Sequence, residues 1–139
     1  MIEIASANMT STATPNEYFS QWVDHENWPL WSPDTEWVKV TGTVEKGTHG
    51  KLKPKRGPVV KFIISTYEPP TQYTDTSYLF GAHLVFQHTV EQLDGHVELK
   101  VNVWIEGFLE ILWAKVFGSR FKESVAEDLK RLVHLVEKQ

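Results

Sequence analysis

The side chain best placed to do chemistry in this chain is His88, which sits in the stretch LVFQHTVEQLDGHVELKVNV. An imidazole titrates near pH 6.5, which suits it to moving protons at neutral pH. Its role depends on which way it points. Asp94-Gly95, lying between two alternating segments, signals a two-residue type I′ hairpin, whose central positions both require positive φ. With Leu93 and His96 as the flanking pair, Val90 faces Leu99, His88 faces Val101, Phe86 faces Val103 and Leu84 faces Ile105. The other face pairs Thr89 with Lys100, Gln87 with Asn102 and His83 with Glu106. One face is thus apolar and the other mostly polar, a division that a one-residue slip would destroy. His88 is expected to turn inward as the only ionisable group of the apolar set.

An unpartnered imidazole inside a protein costs up to several kcal/mol, so His88 calls for a partner. A two-residue turn at Phe80-Gly81 would put Tyr73, Asp75, Ser77 and Leu79 on the same inner face, with Asp75 or Tyr73 beside His88. A three-residue turn would reverse that parity. His88 is then either a hydrogen-bonded core histidine or a group lining a pocket, where His88 and Asp75 are the candidate acid/base residues.

Other constellations carry less. Asp24, His25 and Glu26 have metal-ligand residue types, but adjacent positions point apart, so they read as a surface cluster at a helix end and no metal is expected. His25, His49, His96 and His134 fall at turns or on a helix surface and receive no role. Arg120 sits at the edge of a helical stripe; turned inward, it would anchor a carboxylate or carbonyl. The signatures G-x-S-x-G, H-E-x-x-H and G-x-G-x-x-G and the P-loop are absent, and no cofactor is expected.

These residues need elements to hold them. Ile2 and Ile4 alternate in a first short strand. Thr14, Pro15 and Glu17 form a capping box with proline at the first helical position, and Tyr18, Phe19, Trp22 and Val23 follow at helical spacing. DHENWPLWSPD reads as a second short helix or turn. Six segments of period two follow between residues 35 and 107, punctuated by Gly, Pro and Asp-Gly. Short connections favour an antiparallel meander. A long helix over 108–136 closes the chain, with Leu109, Leu112, Trp113, Val116, Phe117, Phe121, Val125, Leu129, Leu132 and Val136 on its apolar stripe. Only that helix is long enough to cover the sheet.

The whole chain sets outer bounds. Its 139 residues fit one domain, 1–139. With 41% hydrophobic and 23% charged residues it is a globular composition. A net charge of −4 argues against nucleic acid as a partner, and the basic run KLKPKR reads as a solvated strand and turn. No apolar run reaches the roughly 20 residues of a membrane span, so no membrane insertion is expected. The absence of cysteine excludes disulfides and thiolate chemistry and agrees with a cytoplasmic location.

NWPLW after an amphipathic helix, GTHGKLKPKRGP, YLFGAHLVFQHTVEQLDG and the terminal helix ending in SVAEDLKRL together resemble the polyketide cyclase/dehydrase and lipid-transport families of the START and birch-pollen-allergen superfamily (SRPBCC). The resemblance covers nearly the whole chain. It implies an α+β helix-grip fold, a curved seven-stranded antiparallel sheet wrapped around a long C-terminal helix, with two short helices after the first strand. It also implies an internal cavity holding a small hydrophobic molecule. Trp28 and Trp31 would stand near its mouth; Leu52, Phe62, Phe86, His88, Val101, Val103, Trp113, Phe117 and Phe121 would line it, with Tyr73 beside His88.

Three functions are compatible with these residues. The leading one is binding of a lipid-like, aromatic or polyketide-like ligand. An enzymatic alternative is a cyclase, dehydratase or isomerase in which His88, helped by Asp75 or Tyr73, moves a proton next to a carbonyl. The third is a protein-interaction module using Trp37, Trp104 and the outer sheet face over a filled core. Monomer and homodimer are both open.

Overall fold

The computed structural model describes residues 1–138. Its elements run β1 (Ile2–Ser11), α1 (Pro15–Trp22), a 3-10 helix (His25–Leu30), β2 (Thr35–Val40), β3 (His49–Pro54), β4 (Val60–Glu68), β5 (Gln72–Leu79), β6 (Ala82–Leu93), β7 (His96–Glu106) and α2 (Glu110–Glu137). The strands form one antiparallel sheet in the order β1-β7-β6-β5-β4-β3-β2. This is the helix-grip α+β architecture expected from the sequence. One expectation needs correction. β1 is ten residues long rather than short, because it pairs with β7 along nearly its whole length, Ile2 opposite Ile105 and Ser11 opposite Val97.

Local signals account for the starts and turns. Thr14 caps α1: its side chain accepts from the Glu17 N–H while Glu17 accepts from the Thr14 N–H at 3.1 Å. Gly95 has φ +80°, as the Asp94-Gly95 hairpin requires, and Leu93 pairs with His96. The register behind that turn places Val90 opposite Leu99, His88 opposite Val101, Phe86 opposite Val103 and Leu84 opposite Ile105. Leu79 pairs with Ala82, so the Phe80-Gly81 turn has two residues and Tyr73, Asp75 and Ser77 share the inner face.

The core lies between that inner face and the helices, with Ile64, Leu99, Val103, Ile105, Leu132 and Val136 among its fully enclosed side chains. α2 is held unevenly. Its C-terminal half buries Val125, Leu129, Leu132, Val133 and Val136. That half is also tied by Ser32 Oγ donating to Asp128 (2.8 Å) and Ser11 Oγ donating to Glu137 (2.8 Å). Its N-terminal half leaves Trp113, Phe117 and Phe121 only half-buried. Leu112 and Val116, expected on the buried stripe, are more than half exposed. They lie on the side of the helix turned away from the sheet, which the i, i+3, i+4 pattern alone does not separate from the inner side.

Candidate functional site

Four polar side chains converge inside the sheet: His88 on β6, Tyr73 and Asp75 on β5, and His25 on the 3-10 helix. All four are buried. β5 and β6 set two of them side by side, since Tyr73 is the cross-strand partner of His88 and the rings lie 5.9 Å apart. Asp75 sits opposite Phe86, one inward position further along.

His25 enters from the other side. Its Nε2 is 2.7 Å from the Tyr73 hydroxyl, a buried hydrogen bond between residues 48 apart in the chain. The reading of Asp24-His25-Glu26 as a surface cluster is therefore corrected: Asp24 and Glu26 are exposed, but His25 is core. A 3-10 helix has three residues per turn, so His25, Trp28 and Trp31 eclipse one another and point inward together. That spacing is the signal in the sequence that could have found His25.

The aromatic surroundings are dense. Trp22 lies 5.5 Å and Trp31 6.4 Å from the His88 ring, and Trp28 lies 4.8 Å from His25. Trp28 and Trp31 are each only 6% exposed, so both belong to this packed cluster rather than to an open mouth. Phe62 stacks against Trp28 at 6.5 Å. Val101 and Val103 are buried on the same face, and Leu52 is half-buried on β3. Two concavities of about 300 and 310 Å³ lie on the sheet, one lined by Ser6, Asn8, Lys100 and Asn102, the other by Gln72, Thr89, Glu91 and Glu98. Neither reaches His88.

A second aromatic group continues from this cluster toward the N-terminal half of α2. Trp113 and Phe117 stack at 5.3 Å, Phe117 and Phe121 at 5.0 Å, and Phe86 on β6 meets Phe121 edge-on at 5.7 Å. Arg120 lies between Phe117 and Phe121 in sequence but is exposed, outside the site.

Burial dictates the electrostatics. Loss of water disfavours the charged form, so the His88 and His25 rings are both pushed down to about 4 and are neutral at pH 7. Asp75 is pushed up to about 7 by the same loss of water, only partly offset by its interaction with the Tyr73 hydroxyl. Tyr73 stays a phenol, held up first by burial and then by the nearby Asp75 carboxyl. The interior is thus a cluster of nearly uncharged hydrogen-bonding groups.

Hydrogen-bonding capacity there is left over. Among the described residues, Trp22 Nε1 and Trp31 Nε1, whose rings pack against His88, are buried without a partner. Buried polar atoms are nearly always satisfied, so such a concentration around one histidine calls for water or a ligand. No group of three or more His, Asp and Glu fit to hold a metal occurs among the described residues.

With this geometry, the fold defines the class: a helix-grip domain, one seven-stranded antiparallel sheet closed by a long C-terminal helix. The chain is similar in structure to Ara h 8.0201, with TM-score 0.69, 19% identity, and 96% of this chain and 97% of that chain covered. It is similar to a START superfamily protein from Mycobacterium smegmatis, with TM-score 0.69, 18% identity and 98% of each chain covered. It also resembles the di-domain ARO/CYC StfQ from the steffimycin biosynthetic pathway, with TM-score 0.79 and 8% identity; 99% of this chain covers 51% of that one. No family model and no curated protein matches the sequence.

Proposed function

We propose that this protein binds a small, mainly hydrophobic molecule that carries one or two hydrogen-bonding groups. The observation that carries the reading is the cluster of buried, unpartnered ring nitrogens around His88, continuous with an aromatic row that α2 leaves half-covered. The apolar body of the ligand would lie along Phe86, Trp113, Phe117 and Phe121. Its polar end, a carbonyl or hydroxyl, would accept from the indole N–H groups and meet the neutral His88. Entry requires the N-terminal half of α2 or the Trp22 and Trp31 rings to move aside, because those rings now fill the space next to His88. The structural likeness to Ara h 8.0201 and to an ARO/CYC protein fits this reading.

A second reading is supported by Asp75, which at about 7 is poised to give or take a proton near neutrality. Asp75, Tyr73 and His25 would then act as a short relay next to a ligand carbonyl, with His88 fixing its orientation. With its value near 4, His88 carries almost no proton to give at pH 7, which leaves Asp75 as the proton donor of this reading.

Organic extraction of the purified protein, followed by mass spectrometry, should release a co-purifying molecule. That extract should displace an environment-sensitive apolar dye, and Phe117→Ala should weaken the binding of both by at least about tenfold, some 1.4 kcal/mol. Dye that is bound equally by wild type and Phe117→Ala would overturn the assignment. Tyr73→Phe separates the two readings: it should spare most of the affinity but remove any turnover.

A further inference from the structure

The antiparallel meander brings several distant turns to one end of the molecule. β4 begins, β5 ends, β6 begins, β7 ends and α2 begins at the same edge of the sheet, because Leu52 pairs with Val60, Leu79 with Ala82 and His83 with Glu106. Two phenylalanines project there into solvent. Phe80, in the β5–β6 turn, is 80% exposed, and Phe108, just before α2, is 84% exposed. They are neighbours, since the Phe108 ring reaches to about 3.0 Å from where a Gly81 side chain would begin. The turn is fastened to the helix by Leu109 N–H donating to the Gly81 carbonyl (3.0 Å) and by Trp113 Nε1 donating to the Phe80 carbonyl (2.8 Å). Ile111, Leu112 and Val116 extend the exposed apolar surface along α2. Single exposed apolar residues are ordinary, but a contiguous patch capped by aromatic rings marks an interaction surface.

The same end is basic in a chain that is acidic overall. Seven of the 14 Lys and Arg fall between residues 39 and 61, where Glu45 is the only acid; all but Lys46, in the β2–β3 connection away from this end, lie on β2, β3, β4 or the β3–β4 turn. Lys39, Lys51 and Lys61 stand directly opposite one another across β2, β3 and β4, an arrangement that is unfavourable by itself. Lys55 and Arg56 are exposed in the β3–β4 turn, and Lys115 and Lys122 are exposed on α2. Of the nearby acids, Glu36 is paired with Lys53 (3.4 Å) and Glu110 with the amino group of Met1 (2.7 Å). Glu106 lies opposite His83 on the outer face.

We infer that this end of the molecule docks peripherally on an anionic lipid bilayer, with Phe80 and Phe108 entering the headgroup region and the lysines and Arg56 held over acidic headgroups. Aromatic tips ringed by cations match that interface, where apolar burial and electrostatic attraction add. The charge complementarity favours acidic lipid over a second copy of this chain, whose net charge elsewhere is negative but whose exposed end is itself basic. The inference rests on surface residues alone and stands apart from the ligand reading. It was not legible from any one segment, because the phenylalanines and cations come from turns far apart in sequence.

Co-sedimentation of the full chain with phosphatidylcholine vesicles, with and without about 30% phosphatidylserine, tests it. Wild type should bind the anionic vesicles and not the neutral ones, and added salt should release it. Phe80→Ser combined with Phe108→Ser should lower partitioning by about tenfold or more. The Lys55→Glu, Arg56→Glu pair should remove most of the salt-sensitive part. Melting temperatures should stay near wild type, since all four side chains are exposed. Equal sedimentation with both vesicle types, or undiminished binding by the double phenylalanine variant, overturns the proposal. So does a concentration-dependent dimer, dispersed by Phe80→Ser, in protein that ignores vesicles: that outcome gives the patch to a second copy.

Discussion

At the scale of single residues, the interior has traded charge for burial. A histidine whose folded value is depressed contributes stability that is full above its unfolded value of about 6.5 and is lost as pH falls toward about 4. Asp75 behaves in the opposite sense. Its folded value is raised, so its contribution is full below about 3.8 and is lost as pH rises through about 7. The effects oppose one another over the same range, and wild-type stability hides them. Asp75→Asn uncovers one. Relative to wild type, its unfolding free energy should climb between pH 4 and 7 and level off above, by a few kcal/mol in all, measured by denaturant unfolding at fixed pH steps. A flat difference across that range would mean that Asp75 is solvated.

Residue-scale legibility was uneven for a physical reason. His88 could be placed because a two-residue turn propagates its parity along both strands, so one Asp-Gly pair determines some ten side-chain directions. Asp75 and Tyr73 followed only once the Phe80-Gly81 turn was known to have two residues. His25 escaped, because its neighbours are charged and its helix type was not known. A three-residue repeat is inward-facing in a 3-10 helix but drifts round an α-helix.

At the scale of elements, α2 is two helices in function. Its C-terminal half is a core element, so Leu132→Ala, at a site 1% exposed, should cost about 2–5 kcal/mol. Trp113 belongs to the loosely held half. Trp113→Ala should cost clearly less than its size suggests, since the ring is only partly buried, yet it should impair ligand or dye binding. Paired thermal melts and binding isotherms of the two variants check the contrast; a larger stability loss at Trp113 would show that the N-terminal half is core as well. β3 offers a sharper case. Gly50 lies against the Phe62 ring and the Lys39 carbonyl, leaving no room for a side chain. Gly50→Val should therefore destabilise by roughly 1–3 kcal/mol, read as a lowered midpoint in urea, although valine is the better strand former. The long helix was read to within two residues at its start, but its division into tight and loose halves was not, since apolar spacing reports direction and not distance from the sheet.

At the scale of the whole molecule, the class of fold follows from the alternation of periods, six strand-like segments and one closing helix. The packing of the interior did not follow. Trp22, Trp28, Trp31, Phe62 and Tyr73 crowd the space beside His88, and how far side chains from separate elements fill a shared volume is a tertiary property that no single segment encodes.

The placement of β1 has a temporal consequence. Strands β2 through β7 each pair with their immediate predecessor or successor, but β1 meets its only partner, β7, some ninety residues later. As the chain leaves the ribosome, Ile4 and Ala5 must wait through most of translation before a neighbour emerges, and closing that span carries the largest loop entropy in the fold. A nascent chain stalled ahead of His96 would hold a five-stranded meander, β2 to β6, with a homeless first strand, a natural target for a chaperone.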